Sequence, residues 1–360
     1  MPLLQDYYQT NYTRCSKCER FMCSWQGVAY TFHSITVFSI PFYIFGGYCI
    51  LFKSTSQMGS YRLPLFNFHF WTCLVDIMIN ALATPYFFFP SLAGFSVGFL
   101  NFLGVPPPIQ TWLAFQSINL MTMSMTVLLE NRHNSIPFNR FKISGKNTKS
   151  LYYAIRILLG LSYTLSMLLF IPEDQEAALL QILRQILCPT KEFFTASGVY
   201  VVCIDEGYIK FLALFTVLGT LSEICQMAFF VLCCSYYLFF SKSSFTSKKT
   251  RKLQIAFFAS IILQISIPIT FLLPTFFYLG FSVGFKYYNQ ALTNLSVLHA
   301  SLHGLISTFV VLIIHKPYRQ FIILIFKSPS VVHKESVTTM RKMNGLTSRV
   351  TMNKLLNTLR

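Results

Sequence analysis

Apolar residues come along this chain in long blocks separated by short polar connections. Seven blocks run near Trp25–Phe52, Leu63–Phe89, Ile109–Leu129, Leu151–Ile171, Ile209–Phe240, Gln254–Phe281 and Ala291–Ile314. A bilayer core roughly 30 Å thick takes about 20 mostly apolar residues per helix. Open backbone has no partners in hydrocarbon, so blocks of this length predict spanning helices. A membrane barrel would show alternating strands of about ten residues instead. One further segment, Pro172–Cys188, sets Leu179, Leu180, Ile182, Leu183, Ile186 and Leu187 at helical spacing among Glu173, Asp174, Glu176 and Arg184. It is too short and too charged to span, and predicts an amphipathic helix at the interface or over the bundle. The first 24 residues are polar, with no short apolar core before a small-residue cleavage site, so the first span is expected to act as its own insertion signal.

The expected fold class is therefore all-α, an integral-membrane bundle of seven transmembrane helices. A tail over residues 1–24 precedes the bundle at 25–315. A second tail covers 316–360, where Pro317 suits the first turn of a short membrane-surface helix over Tyr318–Phe326. Composition agrees: apolar types make up 54% of the 360 residues, charged types 11%, and mean hydropathy is +0.52. A soluble domain carries about 25% charge.

The 29 Lys and Arg outnumber the 12 Asp and Glu, for a net charge of +17. In a soluble protein that balance points to nucleic acid. Here the charge is sided. The connections after the first, third and fifth blocks and the tail after the seventh hold 21 of the 29 basic residues. By the positive-inside rule the N-terminus lies outside and the C-terminus in the cytosol. The charge thus reads as a topology signal, and nucleic acid is not an expected partner; the lipid bilayer is.

Asn11-Tyr12-Thr13 is a glycosylation acceptor in the outward tail, whereas Asn294-Leu295-Ser296 falls inside the last span. Cys15, Cys18, Cys23, Cys188 and Cys203 all fall on the outer side, where disulfides persist. A Cys188–Cys203 bridge is one option, and a bridge from an N-terminal cysteine to either is another; spacing does not choose. Cys15-x2-Cys18 has no matching second pair, so no zinc site is expected.

Ionisable side chains inside a bilayer are expensive and usually face the bundle interior. His69, Asp76, Glu223, His299 and His303 are of this kind. Asp76 and His303 each lie about 12 residues from the cytosolic ends of the second and seventh spans, roughly 18 Å at 1.5 Å per residue. Those spans are neighbours in a sequential ring, so an Asp76–His303 polar pair is expected. His299 and His303 at i, i+4 lack a third metal ligand, and no metal or cofactor is implied. Gly94-Phe95-Ser96-Val97-Gly98 matches a hydrolase nucleophile elbow and recurs at 280–284. An elbow needs a strand–turn–helix in an α/β sheet with ordered Asp and His partners, and both copies fall just outside the outward ends of spans with no such partners following. Both are expected to break helices outside the second and sixth spans, and no enzyme activity follows. Pro41, Pro85, Pro268 and Pro274 are expected to kink spans.

Phe45-Gly-Gly-Tyr-Cys-Ile-Leu-Phe-Lys53, Leu65-Phe-Asn-Phe-His-Phe-Trp71 running to Asp76, Pro85-Tyr-Phe-Phe-Phe-Pro90, Leu129-Glu-Asn-Arg132 and Ile314-His-Lys-Pro-Tyr-Arg-Gln-Phe321 carry a resemblance. The chain resembles the nematode serpentine receptor class H chemoreceptors of the Str superfamily. The resemblance implies a chemosensory receptor of the plasma membrane, in sensory-neuron cilia, that binds a small-molecule ligand and couples to a heterotrimeric G protein. Gln116, Asn119, Glu223 and His299 are the ligand-contact residues expected from depth and polarity. Glu130 and Arg132, the basic Lys248, Lys249 and Arg251, and Pro317, Tyr318 and Arg319 are expected to face the cytosolic partner. The pattern departs from rhodopsin: the arginine comes one residue late after Glu130, and no cysteine between Cys73 and Cys188 can bridge the third span to the next outer loop. A seven-span channel would need its N-terminus inside, and a transporter would need internal repeats.

Overall fold

The computed structural model describes residues 2–15, 18–55, 58–136, 139–143, 145–240 and 248–326; the tail expected beyond 326 lies outside the described residues. A short helix, α1 (Pro2–Thr10), precedes the bundle. The Ser24 side chain accepts from the Gly27 N–H at 3.0 Å and caps α2 (Trp25–Phe52). The next helix, α3 (Gly59–Ile77), ends in one wide turn over Met78–Leu82. Thr84 then adopts a left-handed backbone (φ 42°) and Pro85, which has no N–H to give a helix, opens β1 (Pro85–Phe87). There follow β2 (Ala93–Ser96), α4 (Phe99–Phe102), α5 (Pro107–Asn134) and α6 (Lys146–Ser166). Asp174 caps α7 (Gln175–Leu183), which precedes α8 (Glu192–Thr195) and β3 (Tyr200–Val201). Asp205 caps α9 (Glu206–Ser235), which widens over Tyr236–Phe240. The chain closes with α10 (Lys248–Phe285), α11 (Gln290–Ala300), α12 (His303–Ile314) and α13 (Lys316–Phe326).

The fold is a mostly helical seven-helix bundle. Among the described residues, six spans are long and apolar enough to cross a bilayer: Trp25–Phe52, Gly59–Leu82, Pro107–Asn134, Glu206–Phe240, Thr250–Phe285 and Gln290–Ile314. The expected fourth span does not meet that measure. It begins at Lys146 instead of Leu151 and stops at Ser166 instead of Ile171, so it takes in Lys146, Lys149 and Arg156 over a shorter apolar run. It fills the fourth place in the bundle nonetheless, packed on α5. The α5 helix also packs on α3, α9 and α10, and α12 joins the ring to α2 and α3.

The end of the bundle where α2 starts is the N-face, and the end where it stops is the C-face. Two regions of the N-face differ from the sequence reading. Residues 85–89 are not helical. β1 pairs antiparallel with β2 (Tyr86 opposite Phe95), and β2 with β3 (Ala93 opposite Val201), in a three-stranded sheet. The first Gly-Phe-Ser-Val-Gly copy supplies β2; Gly94 is required there because a Cβ would lie 2.6 Å from the Tyr86 carbonyl oxygen. The second copy, 280–284, breaks nothing and continues α10 to Phe285. The amphipathic segment forms α7, with Ala178, Leu179, Ile182 and Leu183 buried.

Of the two bridges left open by the sequence, Cys188–Cys203 does not form, and the one from the N-terminal tail does. Cys188 pairs with Cys15 across a Cα separation of 5.5 Å, and Cys18 pairs with Cys23. Cys203 is a free, buried thiol packed with Tyr208 and Leu212. Its burial raises the thiol pKa, and its Sγ–H is directed at the Asp205 carbonyl. The Cys15–Cys188 bond straps the N-terminal segment over α7 and α8, where Tyr8 and Tyr12 pack on Phe194 and the Tyr7 hydroxyl donates to the Leu187 carbonyl at 2.9 Å.

Candidate functional site

The seventh span is not one helix. It stops at Ala300 and restarts at His303, and the restart is held by a side chain from α3. Asp76 is fully buried, and its Oδ2 accepts from the Leu305 N–H at 3.1 Å and from the Tyr43 hydroxyl of α2 at 2.6 Å. Asp76 Oδ1 lies 2.8 Å from His303 Nδ1. That nitrogen is also 2.8 Å from the Ala300 carbonyl. The ring N–H is aimed at the carbonyl, and Oδ1 receives no directed hydrogen bond; the carboxylate contact is one of proximity. The structure thus brings Asp76 and His303 together at the joint. Asn80 adds a bond from its amide to the Ser301 carbonyl at 3.2 Å, and His303 Nε2 faces Met121 Sδ of α5 at 3.2 Å.

The N-face holds a cavity of about 80 Å³. Trp112 and Phe115 of α5, Met167 and Ile171 after α6, Phe87 and Ala93 of the sheet, Tyr200 and Leu212 line it, with no charged side chain among its walls. The Tyr200 hydroxyl meets that of Thr111. Burial pushes the Tyr200 phenol up to about 12, against the lowering effect of that hydrogen bond, so it stays neutral. The Trp112 indole donates to Thr164 at 3.2 Å, and the Thr164 hydroxyl donates to Gln116 Oε1 at 2.7 Å. Gln116 therefore braces a wall of the cavity from behind.

The other three residues expected at the ligand do not join it. Asn119 packs against α6, its amide occupying the space a Cβ on Gly160 would fill. Glu223 pairs with Arg156 of α6 and accepts from Thr126 at 3.3 Å. His299 is exposed on the bundle surface, stacked on Phe271 with ring centroids 4.8 Å apart. Depth and polarity place a residue along a helix axis but not around it.

At the C-face, Glu130 does not engage Arg132. It takes Lys149 at 2.8 Å, the Tyr153 hydroxyl at 2.9 Å and the Asn134 amide, all of which tie α5 to α6 or to its own last turn. Arg132 instead donates to the Gln254 carbonyl of α10 at 2.8 Å. Arg251 donates to the carbonyls of Leu238 and Phe239, joining α10 to the end of α9. Lys248 and Lys249 open α10. Pro317 sits in the first turn of α13, and Arg319 donates to the Ile313 carbonyl at 3.2 Å. Tyr318 is buried, sharing a hydrogen bond with Ser54 at 2.7 Å and lying edge-on to His315. His315 in turn meets Gln264 at 2.8 Å.

Sequence reasoning passed over Arg156, Tyr43, Tyr153 and His315. Arg156 left a signal: it is a full charge inside the fourth apolar block, and such a charge calls for a partner on a neighbouring helix. Tyr43 and Tyr153 left none, since neutral phenols are common in apolar blocks. Among the described residues no group of three His, Cys, Asp or Glu side chains could hold a metal. Asn11 is exposed, whereas Asn294 is buried and donates to the Met22 carbonyl at 2.7 Å.

Three comparisons bear on this arrangement. The profile of the family described as serpentine type 7TM GPCR chemoreceptor Srh matches residues 23–328. Serpentine receptor class H-72 of Caenorhabditis elegans is 33% identical over 336 residues, covering 93% of this chain and 94% of that protein. The crystal structure of squid rhodopsin superposes with a TM-score of 0.53 at 12% identity, over 86% of this chain and 87% of that one. The last is a likeness of fold alone.

Proposed function

The chain belongs to the Srh family of serpentine seven-transmembrane chemoreceptors, and from that premise we propose that it is a sensory receptor for a small apolar molecule. It is a multi-pass membrane protein and a receptor by family, not an enzyme. In this reading the N-face is outside the cell, the C-face meets a heterotrimeric G protein, and the receptor works in the plasma membrane of sensory cilia.

The observation that carries the reading is the uncharged N-face cavity and the helix that leaves it. α5 lines the cavity with Trp112 and Phe115, passes the joint at Met121 and ends at Glu130 and Arg132. One rigid element thus touches the ligand end, the polar joint and the partner end. At about 80 Å³ the cavity is smaller than the roughly 150 Å³ that admits benzene. A larger ligand must part α6 and α9 from α5, so it binds the parted state more tightly and shifts the population toward it.

The test is a panel of small apolar volatiles applied to cells expressing the receptor, with a G-protein readout. Phe115→Trp adds bulk to the cavity and is expected to lower the potency of an active compound at least about tenfold, about 1.4 kcal/mol of lost binding, at unchanged surface level. Unchanged potency would count against the cavity. For sidedness, an endoglycosidase-sensitive form is expected that disappears in Asn11→Gln. Protease access to residues on both faces from one compartment would overturn the sidedness altogether.

A further inference from the structure

The half of the bundle nearer the C-face carries a second concavity, unconnected with the N-face cavity. α6 and α9 both pack on α5 and leave a groove of about 510 Å³ between them. That lies within the roughly 300–1,000 Å³ of small-molecule sites. Tyr152, Ile155 and Arg156 line one wall, and Ser222, Gln226 and Phe229 the other. Glu223, beside them, stands midway along the 35-residue span Glu206–Phe240, so the groove is at membrane depth and open to lipid.

Its lining does not suit lipid tails. The Tyr152 hydroxyl donates to Gln226 Oε1 at 2.6 Å, and the Gln226 amide donates to Ser222 Oγ at 3.3 Å; Ser222 is exposed. Beneath them the Arg156 side chain is 8% exposed. Its Nη2 serves Glu223 and Thr126, while Nε and Nη1 have no partner among the described residues. Buried donors without acceptors are costly, more so beside hydrocarbon. The charge is already balanced, because Glu223 neutralises Arg156. What the groove lacks is an acceptor, not an anion.

We propose that this groove binds an uncharged, membrane-dissolved molecule with an apolar body and one hydrogen-bonding oxygen, such as a ketone, ester or alcohol, entering from the bilayer. The body lies against Ile155 and Phe229. The oxygen meets the Ser222–Gln226 pair directly, and reaches the Arg156 N–H groups when the Tyr152 ring, 5.6 Å over the guanidinium carbon, turns aside. A molecule seated there bridges α6 and α9 and biases how they sit on α5.

The test uses the full chain in phosphatidylcholine nanodiscs. Benzophenone, a neutral ketone that is its own photoreactive group, is compared with 4-benzoylbenzoate, the same skeleton bearing a carboxylate. Adducts are mapped by mass spectrometry. Saturable benzophenone adducts are expected within residues 152–156 and 222–230, displaced by excess 2-undecanone. Labelling there should fall about fivefold, the worth of one hydrogen bond, in Ser222→Ala/Gln226→Leu. Arg156→Lys, which keeps the charge facing Glu223 but loses the guanidinium edge, is expected to lower it as well. Unsaturable labelling spread over all lipid-facing helices would overturn the site. Equal or stronger saturable labelling by 4-benzoylbenzoate would overturn the claim that the ligand is uncharged. Saturation and displacement in the unaltered chain decide the matter even if a variant misfolds, and no signalling readout is involved.

Discussion

Asp76→Ala is expected to destabilise the folded bundle by about 2–6 kcal/mol, because two buried donors lose their acceptor at about 1–3 kcal/mol each. The carboxylate accepts from two groups, the Tyr43 hydroxyl and the Leu305 N–H, and lies against the His303 ring. The Leu305 N–H lies in the first turn of α12, and that helix has no capping side chain of its own. Asp76 therefore caps it from α3, with its negative charge at the positive end of the helix dipole. Alanine leaves the Tyr43 hydroxyl and the Leu305 N–H without this acceptor at membrane depth, whereas His303 keeps its bond to the Ala300 carbonyl. Asn keeps an oxygen for Tyr43 and Leu305 and should cost less, about 1–2 kcal/mol. Gly304→Ala probes the same joint from the other side. Its Cβ would lie 2.5 Å from Asp76 Oδ2 and 2.9 Å from the Thr72 carbonyl oxygen, an overpacking worth about 1–3 kcal/mol. With Asp76 already gone, half of that clash is absent, so the double variant should lose less than the sum of the two. Thermal unfolding in detergent, followed by alkylation of the buried Cys73, reads all four. An Asp76→Ala variant as stable as the parent would remove the clamp from the account.

The joint also shows how far the sequence could be read. Counting residues from the span ends placed Asp76 and His303 at one depth, because helical rise is constant. The interruption of the seventh span at Ser301–Leu302 left no mark in its apolar pattern, since the side chain that caps the restart comes from another helix. Residues 85–89 read as helix because a short buried apolar strand and a buried helix look alike by hydrophobicity. Blocks of hydropathy marked the other six spans. The shorter α6 was harder, because Arg156 is tolerated there only through Glu223, 67 residues further on. Of the expected ligand contacts, Gln116 backs the cavity, whereas Asn119, Glu223 and His299 turn elsewhere. Rotation about each helix is set by packing, which a single sequence does not display. The cysteines were assigned to the right face of the molecule in outline but not to partners, as connectivity depends on where loops cross.

At the C-face, Arg132→Ala is expected to let the first turns of α10 move away from α5. A hydrogen bond from a charged donor contributes about 1.5–3 kcal/mol, which converts to roughly a 10- to 150-fold change in the ratio of closed to open bundles. Among the described residues Arg132 has one directed contact, its Nη2 to the Gln254 carbonyl, and its Nε has none. Glu130 is engaged by Lys149, Tyr153 and Asn134, so it is not competing for the arginine. The two residues, adjacent in the sequence motif, thus hold different helices. Glu130→Gln should loosen α6 and leave α10 in place. Spin labels at Ser135 and Lys252, both exposed and on either side of the Arg132 contact, measure the separation directly. Arg132→Ala is expected to broaden the distance distribution and move it outward, Arg132→Lys to do so less, and Glu130→Gln to leave it unchanged. Basal G-protein signalling should rise with the opening if Arg132 acts only as a latch, and fall if its guanidinium also touches the partner. The distances are independent of that difference. An unmoved distribution in Arg132→Ala would mean that α10 is held by its packing on α11 and α12, with the arginine contributing no restraint.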